Sequence, residues 1–162
     1  MGIRRLNHAV LYVRDVERSA AFYRDVLGFR EVVRRPVAVF LRAADSDNDH
    51  DLGLFQVGPQ ATDSPAGRTA VGLYHLAWSV PTLTDLADYQ RRLREAGALV
   101  GASDHVTTKA LYAKDPDGLE FEVSWLVPAD RVTDEMRAQV ATRPLDLDAD
   151  IEHWGPELVG MS

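Results

Sequence analysis

The apolar residues of this chain fall into a pattern that is written twice. Leu6-Asn7-His8-Ala9-Val10-Leu11-Tyr12-Val13 reads as a strand, and so does Leu73-Tyr74-His75-Leu76-Ala77-Trp78-Ser79-Val80, with histidine third and valine last in both. The period then lengthens to that of a helix. Asp15 offers an N-cap to a stretch carrying Val16, Ala20, Tyr23 and Leu27 on one face, and in the second copy Thr82 or Thr84 can cap a stretch carrying Leu86, Tyr89 and Leu93. Glycine ends both helices, at Gly28 and Gly97. Three strand-like stretches follow each glycine, at 29–33, 37–43 and 50–57, then at 98–103, 107–114 and 119–127. The spacing predicts a βαβββ unit repeated in register, since His75 follows His8 by 67 residues and Gly97 follows Gly28 by 69.

Two interruptions and an ending frame the repeat. Residues 44–49 form a polar turn, and residues 58–70 form a Gly/Pro/Ser-rich linker. After Pro128 the pattern stops. Residues 130–141 are expected as a short surface helix and 142–162 as an irregular tail with Trp154 docked, without chemistry. The length of 162 residues suits one compact domain, with modules 4–57 and 71–127 inside a body at 4–127 and a C-terminal helix and tail at 128–162.

Composition narrows the chemistry. No cysteine is present, so thiolate ligands, thiolate nucleophiles and disulfides are excluded and any metal must sit on His, Asp, Glu, Tyr or water. Lys and Arg total 18 against 25 Asp and Glu, a net charge of −7 without a basic run, which argues against nucleic-acid or anionic-membrane partners. No apolar stretch approaches the ~20 residues of a membrane span, and the basic start at Arg4 and Arg5 lacks a signal-peptide core, so a cytoplasmic location is expected.

Strand alternation then sorts the polar side chains. His8 shares a face with Leu6, Val10 and Tyr12; His75 with Leu73, Ala77 and Ser79; Glu122 with Glu120 and Ser124. A lone strand histidine is commonly a hydrogen-bonded core or surface residue. Two at matched repeat positions, with an inward glutamate near the end of the second copy, also suit a facial triad of two imidazoles and one carboxylate that leaves open positions on a divalent ion.

The phrases Leu6-Asn7-His8, Asp15 with Phe22-Tyr23 and Leu27-Gly28-Phe29, Tyr74-His75-Leu76-Ala77-Trp78, and Asp115-Pro116-Asp117-Gly118 leading to Glu122 resemble the vicinal-oxygen-chelate superfamily. That superfamily includes glyoxalase I, extradiol ring-cleaving dioxygenases and fosfomycin- and bleomycin-resistance proteins. The resemblance implies an α+β fold of paired βαβββ modules forming an incomplete eight-stranded barrel around a metal site, with the metal on His8, His75 and Glu122. Within that group, His50-Asp51-Leu52-Gly53-Leu54 resembles a strand of the type I extradiol dioxygenases, in which a histidine handles protons beside the open metal face. Tyr112 stands at the offset of the tyrosine that hydrogen-bonds the bound catecholate, and Asp104-His105-Val106-Thr107-Thr108 resembles the histidine loop that closes over the substrate.

The function implied is extradiol cleavage of a small aromatic diol by O2, with Fe(II) as the expected metal and Mn(II), Zn(II) or Ni(II) also compatible. His50, Tyr112 and His105 are the candidate catalytic residues, and a homodimer is expected. The alternatives are a glyoxalase-like lyase or isomerase and a non-catalytic small-molecule binder. Glyoxalase I adds a glutamate ligand on the last strand of the first copy, where this chain offers only Gln56 as a neutral substitute. His153, in the tail, has no partner pattern and reads as structural or solvated.

Overall fold

A computed structural model describes residues 2–3, 5–67 and 69–161. Arg4, where the expected domain begins, lies outside the described residues. The chain forms two compact units, one reaching to Ser64 and including Asp115–Gly118, the other comprising Pro65–Lys114 and the chain from Leu119 onward.

The first unit is a single βαβββ module. Strand β1 (Ala9–Val13) leads into helix α1 (Val16–Asp25), followed by β2 (Arg30–Arg35), β3 (Ala38–Arg42) and β4 (Leu52–Gln56). The sheet runs β1-β4-β3-β2, with β1 parallel to β4 and the other pairs antiparallel. Asp15 caps α1 as expected: its carboxylate accepts the N–H groups of Glu17 and Arg18 at 2.9 and 3.1 Å. The apolar stripe Val16, Ala20, Tyr23 and Leu27 is buried, as are Leu11 and Val13 of β1, Val39 and Leu41 of β3, and Leu52 and Leu54 of β4. Burying each such large side chain contributes roughly 1.5–3 kcal/mol. Strand β2 is exposed throughout, and its Arg30, Glu31, Arg34 and Arg35 suit an edge that must not recruit another strand.

The second unit repeats the plan. It contains β5 (His75–Ser79), α2 (Leu83–Glu95), β6 (Leu99–Asp104), β7 (Thr108–Lys114) and β8 (Glu120–Leu126). With the short β9 (Arg143–Pro144) its sheet runs β5-β8-β7-β6-β9, β5 parallel to β8. Thr82, not Thr84, is the cap of α2, through a capping box with Asp85. Leu83, Leu86 and Leu93 form the buried face, while Tyr89 is only half-buried. Gly28 and Gly97 have φ of 74° and 65°, the left-handed conformation that releases the chain from each helix. Even the irregularities repeat: the register slips between Glu31 and Val33 in one module and between Leu99 and Gly101 in the other. The fold is therefore α+β with duplicated βαβββ modules, in separate four- and five-stranded sheets that are not closed into a barrel.

The C-terminal stretch departs from expectation. The helix predicted over 130–141 is confined to α3 (Asp134–Ala138), and the tail predicted to be irregular carries strand β9 (Arg143–Pro144) and helix α4 (Leu147–Trp154). Asp146 caps α4 through the Ala149 N–H at 3.1 Å. Leu147, Ile151 and Trp154 recur at helical spacing among the acidic residues of this segment, and α4 packs on α2. Trp154 docks as expected, its ring 6.1 Å from that of the fully buried Trp125, whose indole N–H donates to the Leu158 carbonyl at 3.2 Å. Among the described residues, no helix is long and apolar enough to cross a membrane.

Candidate functional site

The six residues singled out from the sequence fall into two local groups. In the first unit His8 immediately precedes β1 and His50 closely precedes β4. The parallel register of those strands pairs Ala9 with Leu52, which brings the two imidazoles to 4.5 Å between ring centroids. His8 Nδ1 lies 2.7 Å from Asn7 Oδ1. An amide oxygen only accepts, so Nδ1 carries the proton and the Nε2 lone pair is left for a ligand. His50 stands edge-on to Phe40 at 5.1 Å and its side chain is 20% exposed, so its ring lies mostly against protein.

The second unit assembles the other four. His75 opens β5 and Glu122 lies on the adjacent β8; His75 Nε2 is 3.3 Å from Glu122 Oε2. Two donors bound to one divalent ion at roughly 2.1 Å stand about 3.0–3.4 Å apart, so this spacing suits a shared ion. The glutamate is buried, and a buried carboxylate needs a cation or donors around it. Among the described residues, the buried Nδ1 atom of His75 meets no hydrogen-bond partner, so none of them fixes its tautomer from behind as Asn7 does for His8. Among the described residues, no group of three His, Asp or Glu side chains is assembled within either unit. His75 and Glu122 fit a metal as a pair of ligands, with the remaining positions to be filled from elsewhere.

Tyr112 faces Glu122 across the β7–β8 ladder, with its ring 5.9 Å from that of His75. Burial, and after it the negative charge of Glu122, pushes its hydroxyl above the usual tyrosine range, so it keeps its proton. That hydroxyl is 2.8 Å from Nε2 of His105, which sits in the turn between β6 and β7. His153 is exposed on α4, its ring 4.5 Å from that of the adjacent Trp154.

The Asp-Pro-Asp-Gly turn belongs with the first unit. Asp115 accepts the N–H of Asp117 on its side chain and that of Gly118 on its carbonyl, both at 2.9 Å. Tyr23 donates its hydroxyl to Asp115 at 3.2 Å, and Arg14 donates to Asp117 from both its backbone N–H and its guanidinium, at 3.1 and 3.0 Å. Within the first unit the turn is thereby pinned to α1 and to the end of β1.

Gln56, the neutral residue in the place of a glyoxalase ligand, has its amide oxygen engaged at the start of α1. Its amide oxygen accepts the Val16 N–H at 3.1 Å and helps to cap α1. The module registers place Val10 opposite Gly53 and Ala77 opposite Glu122, so the first-module counterpart of Glu122 is a glycine. Sequence reasoning also missed two supporting residues. Asn7 was visible inside the Leu6-Asn7-His8 phrase but not as the partner of His8. Thr142, whose hydroxyl lies 3.2 Å from His105 Nδ1, stood in a tail that showed no pattern.

Comparison with known proteins matches residues 5–123 to the family described as the Glyoxalase/Bleomycin resistance protein/Dioxygenase superfamily. A catechol-2,3-dioxygenase of Bacillus subtilis is 35% identical over 118 residues, which cover 73% of this chain but only 40% of that protein. Biphenyl-2,3-diol 1,2-dioxygenase 3 of Rhodococcus globerulus is 34% identical over 142 residues, covering 85% of this chain and 73% of the relative. Among solved structures, a glyoxylase/bleomycin resistance protein/dioxygenase domain from Frankia sp. EAN1pec superposes with a TM-score of 0.60 at 28% identity, over 76% of this chain and 98% of that one. The duplicated modules, their shared bulges and these matches agree: this chain belongs to the glyoxalase, bleomycin-resistance and dioxygenase superfamily.

Proposed function

We propose that this protein is a metal-dependent extradiol dioxygenase acting on a small catecholic substrate. One arrangement carries the reading: the His75–Glu122 pair, at ligand spacing, stands beside a Tyr112 hydroxyl that is itself hydrogen-bonded to His105. The similarity to the catechol and biphenyl-diol enzymes of Bacillus and Rhodococcus supports it. The family includes glyoxalases and binding proteins, so membership alone leaves the reaction open.

In this reading His8, His75 and Glu122 hold one divalent ion, Fe(II) by preference, with Mn(II) an alternative. When bound, that ion supplies open positions at which two vicinal oxygens and O2 can meet. The protein's own residues bind and move protons around it. Tyr112, its own proton held by His105, accepts from a substrate hydroxyl, and His50 exchanges a proton with the substrate. A fourth carboxylate ligand would occupy a position that O2 needs, and Gly53 offers none, which favours a dioxygenase over a glyoxalase-like lyase.

A homodimer belongs to the same proposal. Leu6, Val10 and Tyr12, on the His8 side of β1, and Leu73 and Tyr74 leading into β5 are all exposed in the single chain. The test is anaerobic purification, metal analysis, and exposure to catechols and O2, with the mass in solution read alongside. Substrate-dependent O2 uptake supports the dioxygenase. Hemithioacetal isomerisation without oxygen use would replace it with the lyase, and a protein that retains no metal in any preparation would replace it with a binder.

A further inference from the structure

The C-terminal segment reaches the candidate site through one hydrogen bond, and three features build that bond. The first is register. Strand β9 pairs antiparallel with the β6 edge, Arg143 opposite Asp104, so the next pair outward is Thr142 opposite His105. Thr142 Oγ1 accordingly stands 3.2 Å from His105 Nδ1, while Tyr112 holds Nε2 from the other side at 2.8 Å.

The second is strain. Val106 has φ of 70°, an outlier for a β-branched residue, and the Thr107 N–H donates to the His105 carbonyl at 2.8 Å. Together these make a γ-turn of the strained hand. Such a conformation persists only where its surroundings over-determine it. Here Asp104 accepts the Val106 N–H at 2.7 Å, His105 N–H donates to Thr108 at 2.8 Å, and Val127 N–H donates to Thr107 at 2.9 Å.

The third is a buried ion cluster. Lys109, 4% exposed, places its ammonium 2.7 Å from Asp104 and 2.8 Å from Asp150 of α4. The tail is thus fastened on both sides of the His105 turn, by β9 against β6 and by α4 through Lys109.

We propose that Thr142 is a positioning residue: its hydroxyl accepts from His105 Nδ1–H, fixing the ring as the tautomer whose Nε2 lone pair receives the Tyr112 hydroxyl. The tail thereby sets the direction of the proton shared between Tyr112 and His105. This orientation matters to turnover only under the dioxygenase reading, but it is a property of the metal-free protein too.

The experiment reads it without turnover. Long-range 1H–15N NMR of the metal-free protein, at alkaline pH where the imidazole is neutral, resolves the two ring nitrogens, and His105→Gln assigns the signal. The native protein should show His105 as a single Nδ1–H tautomer. Thr142→Val, which keeps the shape and removes the hydroxyl at an exposed position, should give a mixture; Thr142→Ser should restore the single form. In the metal-loaded protein with catechol, Thr142→Val should lower kcat about three- to tenfold, the range for one lost neutral hydrogen bond, with KM and metal content unchanged. A native Nε2–H tautomer, or a Thr142→Val spectrum identical to native, overturns the proposal. Failure of the native protein to cleave any catechol would overturn the dioxygenase reading instead, and the nitrogen shifts would still decide what Thr142 does.

Discussion

Replacing Lys109 by methionine tests the buried cluster that fastens the tail. Methionine keeps the length of the side chain and most of its packing, so the change is chiefly the loss of one buried ammonium. Asp104 and Asp150, with side chains 18% and 14% exposed, would then lose the cation they share, leaving Asp104 only the charge of Arg143. Breaking a buried pair by removing one partner costs about 3–5 kcal/mol. Both carboxylates retain some water, and Asp104 still accepts the Val106 N–H, so the lower end, about 3 kcal/mol, is expected. With a urea slope of about 2 kcal/mol per molar, the unfolding midpoint of the second unit should fall by about 1.5 M. Asp150→Asn should cost less, about 1 kcal/mol, because Lys109 keeps Asp104. Urea titrations followed by Trp fluorescence, with Trp125 buried beside the tail, make the measurement. A Lys109→Met midpoint within about 0.3 M of native would refute the claim that this cluster holds the segment.

The same cluster has a pH signature. Burial pushes the Asp104 carboxyl up, but Lys109 and the Val106 N–H outweigh it and hold the group below the usual carboxylate range. A depressed folded value contributes stability that is present above the unfolded pKa and lost as pH falls through the folded one, so the gap between native and Lys109→Met should narrow in acid; a gap that widens there would contradict the pairing. Glu122→Ala should abolish metal retention, read by elemental analysis, while leaving the circular dichroism of the fold largely intact. His50→Phe should keep metal and catechol binding but slow ring cleavage by a factor of order 10²–10⁴, as for a positioned acid–base group; turnover comparable to native would remove that role.

What could be read from the sequence follows from how local each feature is. Helix α1 was legible because its cap at Asp15 and its stripe at Val16, Ala20 and Tyr23 lie within a few turns of chain. The placement of His50 near His8 was legible only through the resemblance of His50-Asp51-Leu52-Gly53-Leu54 to an extradiol strand, because the parallel pairing of β1 with β4 joins residues some 40 positions apart. Gln56 was ambiguous for a physical reason: an amide oxygen can accept from a helix N-terminus as readily as it can face a metal, and only coordinates distinguish the two. Strand β9 was illegible because it is two residues long and exists through pairing with an edge some 40 positions earlier. Helix α4 did leave a signal, Asp146 followed by Leu147, Ile151 and Trp154, but outside the repeat and over only two turns, so the segment read as an irregular tail. The role of Thr142 depended on that unseen strand, so no local pattern could have announced it.

We propose that a catechol and O2 meet at a metal held by His8, His75 and Glu122. The most direct measurement is oxygen consumption by anaerobically purified, Fe(II)-loaded protein on addition of a catechol, with Glu122→Ala as the matched control. Mole-for-mole uptake of O2 and catechol and a yellow ring-cleavage product are expected, with neither in the control. Bound metal with no catechol-dependent O2 uptake across a panel of ring-substituted catechols would contradict it, as would equal uptake by the Glu122→Ala protein.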